Sequence, residues 1–126
     1  MTVGNIAKAK NYREDEGKYA GRYNQGVCSL NLALIAMKSK DVKEFYKLLK
    51  HYAEKAHKMQ KVRADRLSAT KAEVAPILWQ HGALARLDAN ETLEELVHNG
   101  YSTTSIGYVG LYECTKALTG KNFWED

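Results

Sequence analysis

At 126 residues, with 44% hydrophobic and 10% aromatic content, the chain can bury one core and is too apolar for a disordered segment. No apolar run approaches the roughly 18 residues of a membrane-spanning helix, no signal-peptide core follows Met1, and two cysteines make no disulfide framework. A cytoplasmic protein without a membrane association is the expectation. The formal charge of +4 is unevenly spread, with eleven basic and four acidic residues in 38–71 and three basic and eight acidic in 72–126.

Residues 1–20 show no defined element, and a single domain is expected over 21–126. Its first strand lies near 26–32, within Gly21-Arg-Tyr-Asn-Gln-Gly-Val-Cys-Ser-Leu-Asn-Leu32. Side chains alternate along a strand, so Val27, Ser29 and Asn31 share one face while Cys28, Leu30 and Leu32 share the other. The second face is apolar enough to meet helices. The first carries a hydroxyl and a carboxamide, which need polar partners from solvent or from a bound ligand. Parity alone fits a half-exposed strand. Leu32 to Lys38 reads as a short helix.

The clearest helix follows. Asp41-Val-Lys-Glu44 has capping-box spacing, and Val42, Phe45, Leu49, Tyr52, Ala56 and Met59 recur at three- and four-residue steps. A helix reaching Arg66 spans about 38 Å, enough to cross a sheet and return the chain for a parallel strand. Leu49, Tyr52 and Ala56 are expected to pack against both strands. Lys43, Lys47, Lys50, Lys58 and Lys61 decorate the polar side. Without an aromatic platform or recognition motif they read as a solvated face, and no nucleic-acid partner is expected. His51 and His57 project about 120° apart and cannot share a metal. His81 and His98 have no ligand at metal spacing, so no metal site is expected.

Pro76, the sole proline, should break whatever precedes it. A short helix is expected near Glu91 to His98, closed by Asn99-Gly100. The segment from Tyr101 to Gly120 then changes period. Six of its first ten residues are β-branched or aromatic, which predicts a strand near 101–109. Gly107 and Gly110 mark a close backbone approach or a tight exit. Leu111, Cys114 and Leu118 fall at helical spacing, and Gly120 stands where a left-handed C-cap belongs. Cys28 and Cys114, each on an apolar face, read as reduced thiols acting as small hydrophobes. The fold class is therefore α/β and mostly helical, two short strands joined through a long helix, with an all-α bundle as the alternative.

Three blocks, GRYNQGVCSLNLALIA, EVAPILWQHGALARL and NGYSTTSIGYVGLYECTKALTG, together resemble successive blocks of the anaerobic (class III) ribonucleoside-triphosphate reductase large chain, a glycyl-radical enzyme family. The similarity runs from about Gly21 to Phe123. It implies that the two strands are pieces of a glycyl-radical-type α/β barrel, and that the chain is an interior fragment of a catalytic chain reducing ribonucleotides to deoxyribonucleotides. The family's radical cysteine belongs to a Met-Gly-Cys-Arg-Ser-type motif ahead of the first block, where MTVGNIAKAKNYREDEGKY holds no cysteine. Neither Cys28 nor Cys114 takes that position, and the glycyl-radical motif has no counterpart here. No catalytic residue is assigned on this ground, and the isolated chain is expected to be inactive.

The resemblance does imply a substrate-binding residue. The family's asparagine in this strand lies beside the radical cysteine and near the substrate ribose, and Asn31 matches it. Asn24 is the alternative for that position, and Ser29, on the face of Asn31, is a pocket-lining candidate. No cofactor is expected in this chain itself. The family uses a glycyl radical, formate as reductant and nucleotide effectors. A ribonucleoside triphosphate is expected as a partner only in a complete enzyme, with a complementary reductase chain or a homo-oligomer covering the sheet edges. The contrasting reading is a non-catalytic remnant or interaction module derived from that enzyme.

Overall fold

The computed structural model describes residues 23–98 and 102–125. The expected N-terminal segment, the Asn99-Gly100 helix end and Tyr101 lie outside them. The elements in chain order are strand β1 (Tyr23–Asn31), helices α1 (Leu32–Lys38) and α2 (Val42–Ser68), and a 3-10 turn (Ala72–Val74). Helices α3 (Pro76–Trp79) and α4 (Glu94–His98), strand β2 (Ser102–Val109) and helix α5 (Leu111–Thr119) complete them. The two strands pair as a parallel sheet, so the α/β expectation holds and the all-α bundle does not. The sheet has two strands and does not close into a barrel among the described residues.

Local chemistry sets the element boundaries. Strand β1 starts three residues earlier than expected and ends at Asn31, not at residue 32, because Asn31 caps the following helix. Its side-chain oxygen accepts from the Leu34 N–H at 2.9 Å. At the start of α2 the Asp41 carboxylate accepts from the Glu44 N–H at 2.7 Å. Glu44 reaches back as a capping box requires, but to the N–H of Lys40 (2.8 Å), one residue beyond the usual partner. Pro76 opens α3 at its first position, where its missing N–H costs nothing. Gly110 and Gly120 both adopt the left-handed conformation, φ +76° and +75°, and bracket α5.

The described residues gather into two compact units. The first comprises 23–26 with 61–98 and 102–105, the second 27–60 with 106–125. In the first unit, Ala72, Trp79, Leu93, Leu96 and Val97 form the buried cluster, with Tyr23 meeting Trp79 edge-on at 5.2 Å. In the second, Leu32, Ile35, Ala36, Phe45 and Cys114 are buried, with Leu30, Leu49, Tyr52 and Leu118 packed around them. Helix α1 packs on α5 there. The expectation that α2 would cover both strands is corrected. Its apolar side meets the α1–α5 cluster and Leu30, while Ile106, Tyr108 and Val109 of β2 stay exposed. Leu111, expected on the apolar stripe of α5, is exposed as well. No helix among the described residues is long and apolar enough to cross a membrane.

Candidate functional site

Alternation along β1 exposes Val27, Ser29 and Asn31 and half-buries Cys28 and Leu30, as the sequence parity requires. Gly107 of β2 adds room on the open face. A Cβ placed there would lie 3.4 Å from Ser29 Oγ and 3.8 Å from a Val27 methyl. Ser29 and Asn31 also line a cavity of about 420 Å³ in the second unit, whose walls include Ile35 and Tyr52 and two cations, Lys38 and Lys55. The Lys55 ammonium stands 5.8 Å from the Tyr52 ring centroid, within cation–π range.

Asn31 is the most constrained polar group of this face. Only the oxygen of a carboxamide accepts a hydrogen bond, so the bond from the Leu34 N–H fixes which way the amide points. Its Nδ2 has no partner among the described residues, and the side chain is exposed. The cap therefore holds the oxygen inward and offers two N–H donors outward. Such a group can bind the oxygen of a hydroxyl, and it cannot take a proton. Ser29 Oγ has no hydrogen-bond partner among the described residues, so nothing there activates it as a nucleophile.

Asn24, the alternative for the substrate-contacting position, belongs to the first unit and is already engaged. Its Nδ2 donates to Ser105 Oγ at 2.6 Å and its Oδ1 accepts from the Gly26 N–H at 2.8 Å. Of the three sequence candidates, Ser29 and Asn31 thus come together on one face, and Asn24 is committed to Gly26 of β1 and Ser105 of β2. Cys28 and Cys114 are free thiols, the first half-buried and the second buried. Burial pushes the Cys114 thiol above its ordinary range. All four histidines are exposed, and no group of three metal-ligating side chains exists among the described residues.

The capping role of Asn31 escaped the sequence reading, although an asparagine immediately before the apolar run LALIAM is itself an N-cap signature.

The family described as anaerobic ribonucleoside-triphosphate reductase matches residues 4–126. Proteins of that name from Haemophilus influenzae and Escherichia coli are each 44% identical over 102 residues, 80% and 79% of this chain respectively. The one from enterobacteria phage T4 is 37% identical over 99 residues, 74% of this chain. The chain spans only 14% of the two bacterial proteins and 16% of the phage protein. It belongs to the anaerobic ribonucleoside-triphosphate reductase family.

Proposed function

We propose that this chain is a piece of the catalytic chain of an anaerobic ribonucleoside-triphosphate reductase, and that Asn31 binds the ribose of the substrate. The observation that carries the second statement is the held carboxamide. With its oxygen fixed by the Leu34 N–H, Asn31 presents donors to a ribose hydroxyl in one orientation, without freezing a free side chain at the moment of binding. Ser29 and Gly107 beside it supply a small polar patch and clearance for a sugar.

The barrel reading belongs to the same proposal. A parallel pair of strands is poorly stable alone, and here both strands keep apolar side chains exposed, among them Val27, Ile106, Tyr108 and Val109. Further strands of a catalytic barrel would cover them, supplied by a complementary reductase chain or a second copy. In that setting the glycyl radical, formate and the nucleotide effectors act through residues outside the described ones. What this chain contributes is orientation of the sugar, in the cytoplasm.

An anaerobic assay with the activating enzyme, formate and each ribonucleoside triphosphate tests both parts. The purified 126-residue chain should give no deoxyribonucleotide, and reduction should need the remainder of the reductase. In the assembled enzyme Asn31→Asp keeps an oxygen for the cap but has no N–H to donate. Activity should fall by roughly a hundredfold or more, the scale for losing a positioned donor, while the melting temperature holds. Turnover by the chain alone would overturn the first part, and an Asn31→Asp enzyme of full activity the second.

A further inference from the structure

The Asn31 cap depends on where the first turn of α1 stands, because the donor that holds its oxygen is the Leu34 N–H, at 2.9 Å. One residue before that donor, Ala33 meets the turn from β2 into α5. A Cβ built on Gly110 would lie 2.9 Å from Ala33 Cβ and 3.2 Å from Ala33 N. Both atoms belong to the framework of α1, since an alanine Cβ cannot swing aside as the end of a long side chain can. Gly110 also has φ +76°, so the backbone favours glycine there a second time.

The packing of α5 leaves it little freedom to step back. The Gly110 carbonyl accepts from the Cys114 N–H at 2.9 Å, which ties the glycine to the first turn of α5. Cys114 is buried in one cluster with Leu32, Ile35 and Ala36 of α1. Drawing α5 away from Ala33 would open that cluster, and a close-packed core opposes it. Crowding at Gly110 is relieved instead by a shift at the start of α1, where the peptide joining Ala33 to Leu34 carries the capping N–H. The direction of the Asn31 amide shifts with it.

We propose that Gly110 is a positioning residue for Asn31: by lacking a Cβ it sets the first turn of α1 against α5, and so aims the N–H donors of the Asn31 amide. The proposal rests on the reading of Asn31 as the ribose-binding residue and adds where its aim is set. Gly110 itself touches no substrate in this scheme. Gly120 supplies the matched control. It has nearly the same φ, +75°, at the other end of α5, and a Cβ there meets nothing within 4 Å.

The test pairs NMR of the 126-residue chain with turnover of the assembled reductase. Gly110→Ala should shift the Asn31 side-chain amide signals and speed hydrogen exchange of the Leu34 N–H by roughly tenfold, as the cap bond lengthens. In the assembled enzyme kcat/KM should fall by roughly tenfold, the scale for a positioning group displaced by a fraction of an ångström. Gly120→Ala should do neither. Gly110→Ala combined with Ala33→Gly removes the closer contact and keeps the left-handed strain at 110. It should return the Asn31 signals and most of the activity. Should Gly110→Ala fail to fold, Ala33→Val crowds the same contact from the α1 side without that strain and carries the same expectation. Asn31 signals unmoved by the crowding variant, or moved as far by Gly120→Ala, overturn the proposal. Signals that move in an enzyme of full activity overturn the ribose reading beneath it, so the two failures are told apart.

Discussion

The two units reach comparable burial by different routes. The second is built from the faces of regular helices: α1, α2 and α5 bring Ile35, Ala36, Phe45 and Cys114 together at helical spacing. The first has only the end of α2 and two short helices, and its cluster is closed by backbone bonds between distant loops. The Ala72 N–H donates to the Glu91 carbonyl at 2.8 Å, the Leu93 N–H to Thr70 at 3.0 Å, and the Leu87 N–H to Trp79 at 2.8 Å. Lys71 and Thr92 form an isolated antiparallel bridge. In one unit periodicity selects the core. In the other, backbone pairing puts Ala72 and Leu93 out of reach of solvent altogether.

The strongest way to break this comparison is to empty each core. Leu93→Ala removes the largest fully buried side chain among the described residues and should cost about 3–5 kcal/mol, because a loop framework pinned by backbone bonds has little freedom to collapse into the cavity. Ile35→Ala in the helical core should cost about 2–4 kcal/mol, since neighbouring helices can shift toward the gap. Urea melts of the two variants decide it. A Leu93→Ala loss below about 1 kcal/mol would mean that the irregular core is loosely packed and the comparison fails.

The next effect sharpens the dependence of the helical unit on its glycines. Gly110 and Gly120 have nearly the same left-handed backbone, but a Cβ at 110 would meet Ala33 Cβ at 2.9 Å and Ala33 N at 3.2 Å, whereas one at 120 meets nothing within 4 Å. Gly120→Ala should therefore cost only the conformational strain, about 1 kcal/mol. Gly110→Ala adds a collision with the first turn of α1 and should cost about 3 kcal/mol. Denaturant midpoints of both variants separate strain from packing. Equal losses would show that α1 yields and that the close approach is not a constraint.

Legibility in the sequence follows the same division. The bounds of α1 were readable from LALIAMK, and α5 from its spacing and from Gly120, because local pattern and local chemistry decide them. The face shared by Ser29 and Asn31 followed from the two-residue period of a strand. By contrast, α4 starts at Glu94, not near Glu91, since Glu91 and Thr92 are drawn into pairing with residues 70–72, some twenty positions away. No local signal announces that pairing. Asn31 itself was found through the family's pattern of blocks. The direction its amide faces was not legible, because it depends on one hydrogen bond to Leu34.

A smaller effect tests the caps that start the helices of the second unit. Asn31→Ala and Asp41→Ala each remove the acceptor for one helix N–H and should each cost about 1 kcal/mol. Asn31→Asp should cost nearly nothing, as it retains that acceptor. Thermal melts at equal ionic strength check all three. A loss above about 3 kcal/mol for Asn31→Ala would show that the side chain supports the core as well as the cap.

The mildest probe uses one acid in each unit. Burial raises the Cys114 thiol above its ordinary 9.0, and burial raises the Tyr23 phenol above 10.0. Each group is neutral when protonated, so the folded state holds its proton at a pH where the unfolded chain has released it. Well below 9.0 both states are protonated at both positions and neither group changes stability. As pH rises past 9.0 the unfolded chain releases the Cys114 proton first, and stability declines until the folded thiol titrates too. The Tyr23 decline begins later, above 10.0. Cys114→Ala should remove the earlier part of the alkaline loss and Tyr23→Phe the later part, in urea melts run across that range. Thiol labelling adds an independent reading: Cys114 should react more slowly than half-buried Cys28. If labelling proceeds at equal rates, the helical core opens as readily as the edge of β1, and the regular packing of the second unit confers no protection on its buried acid.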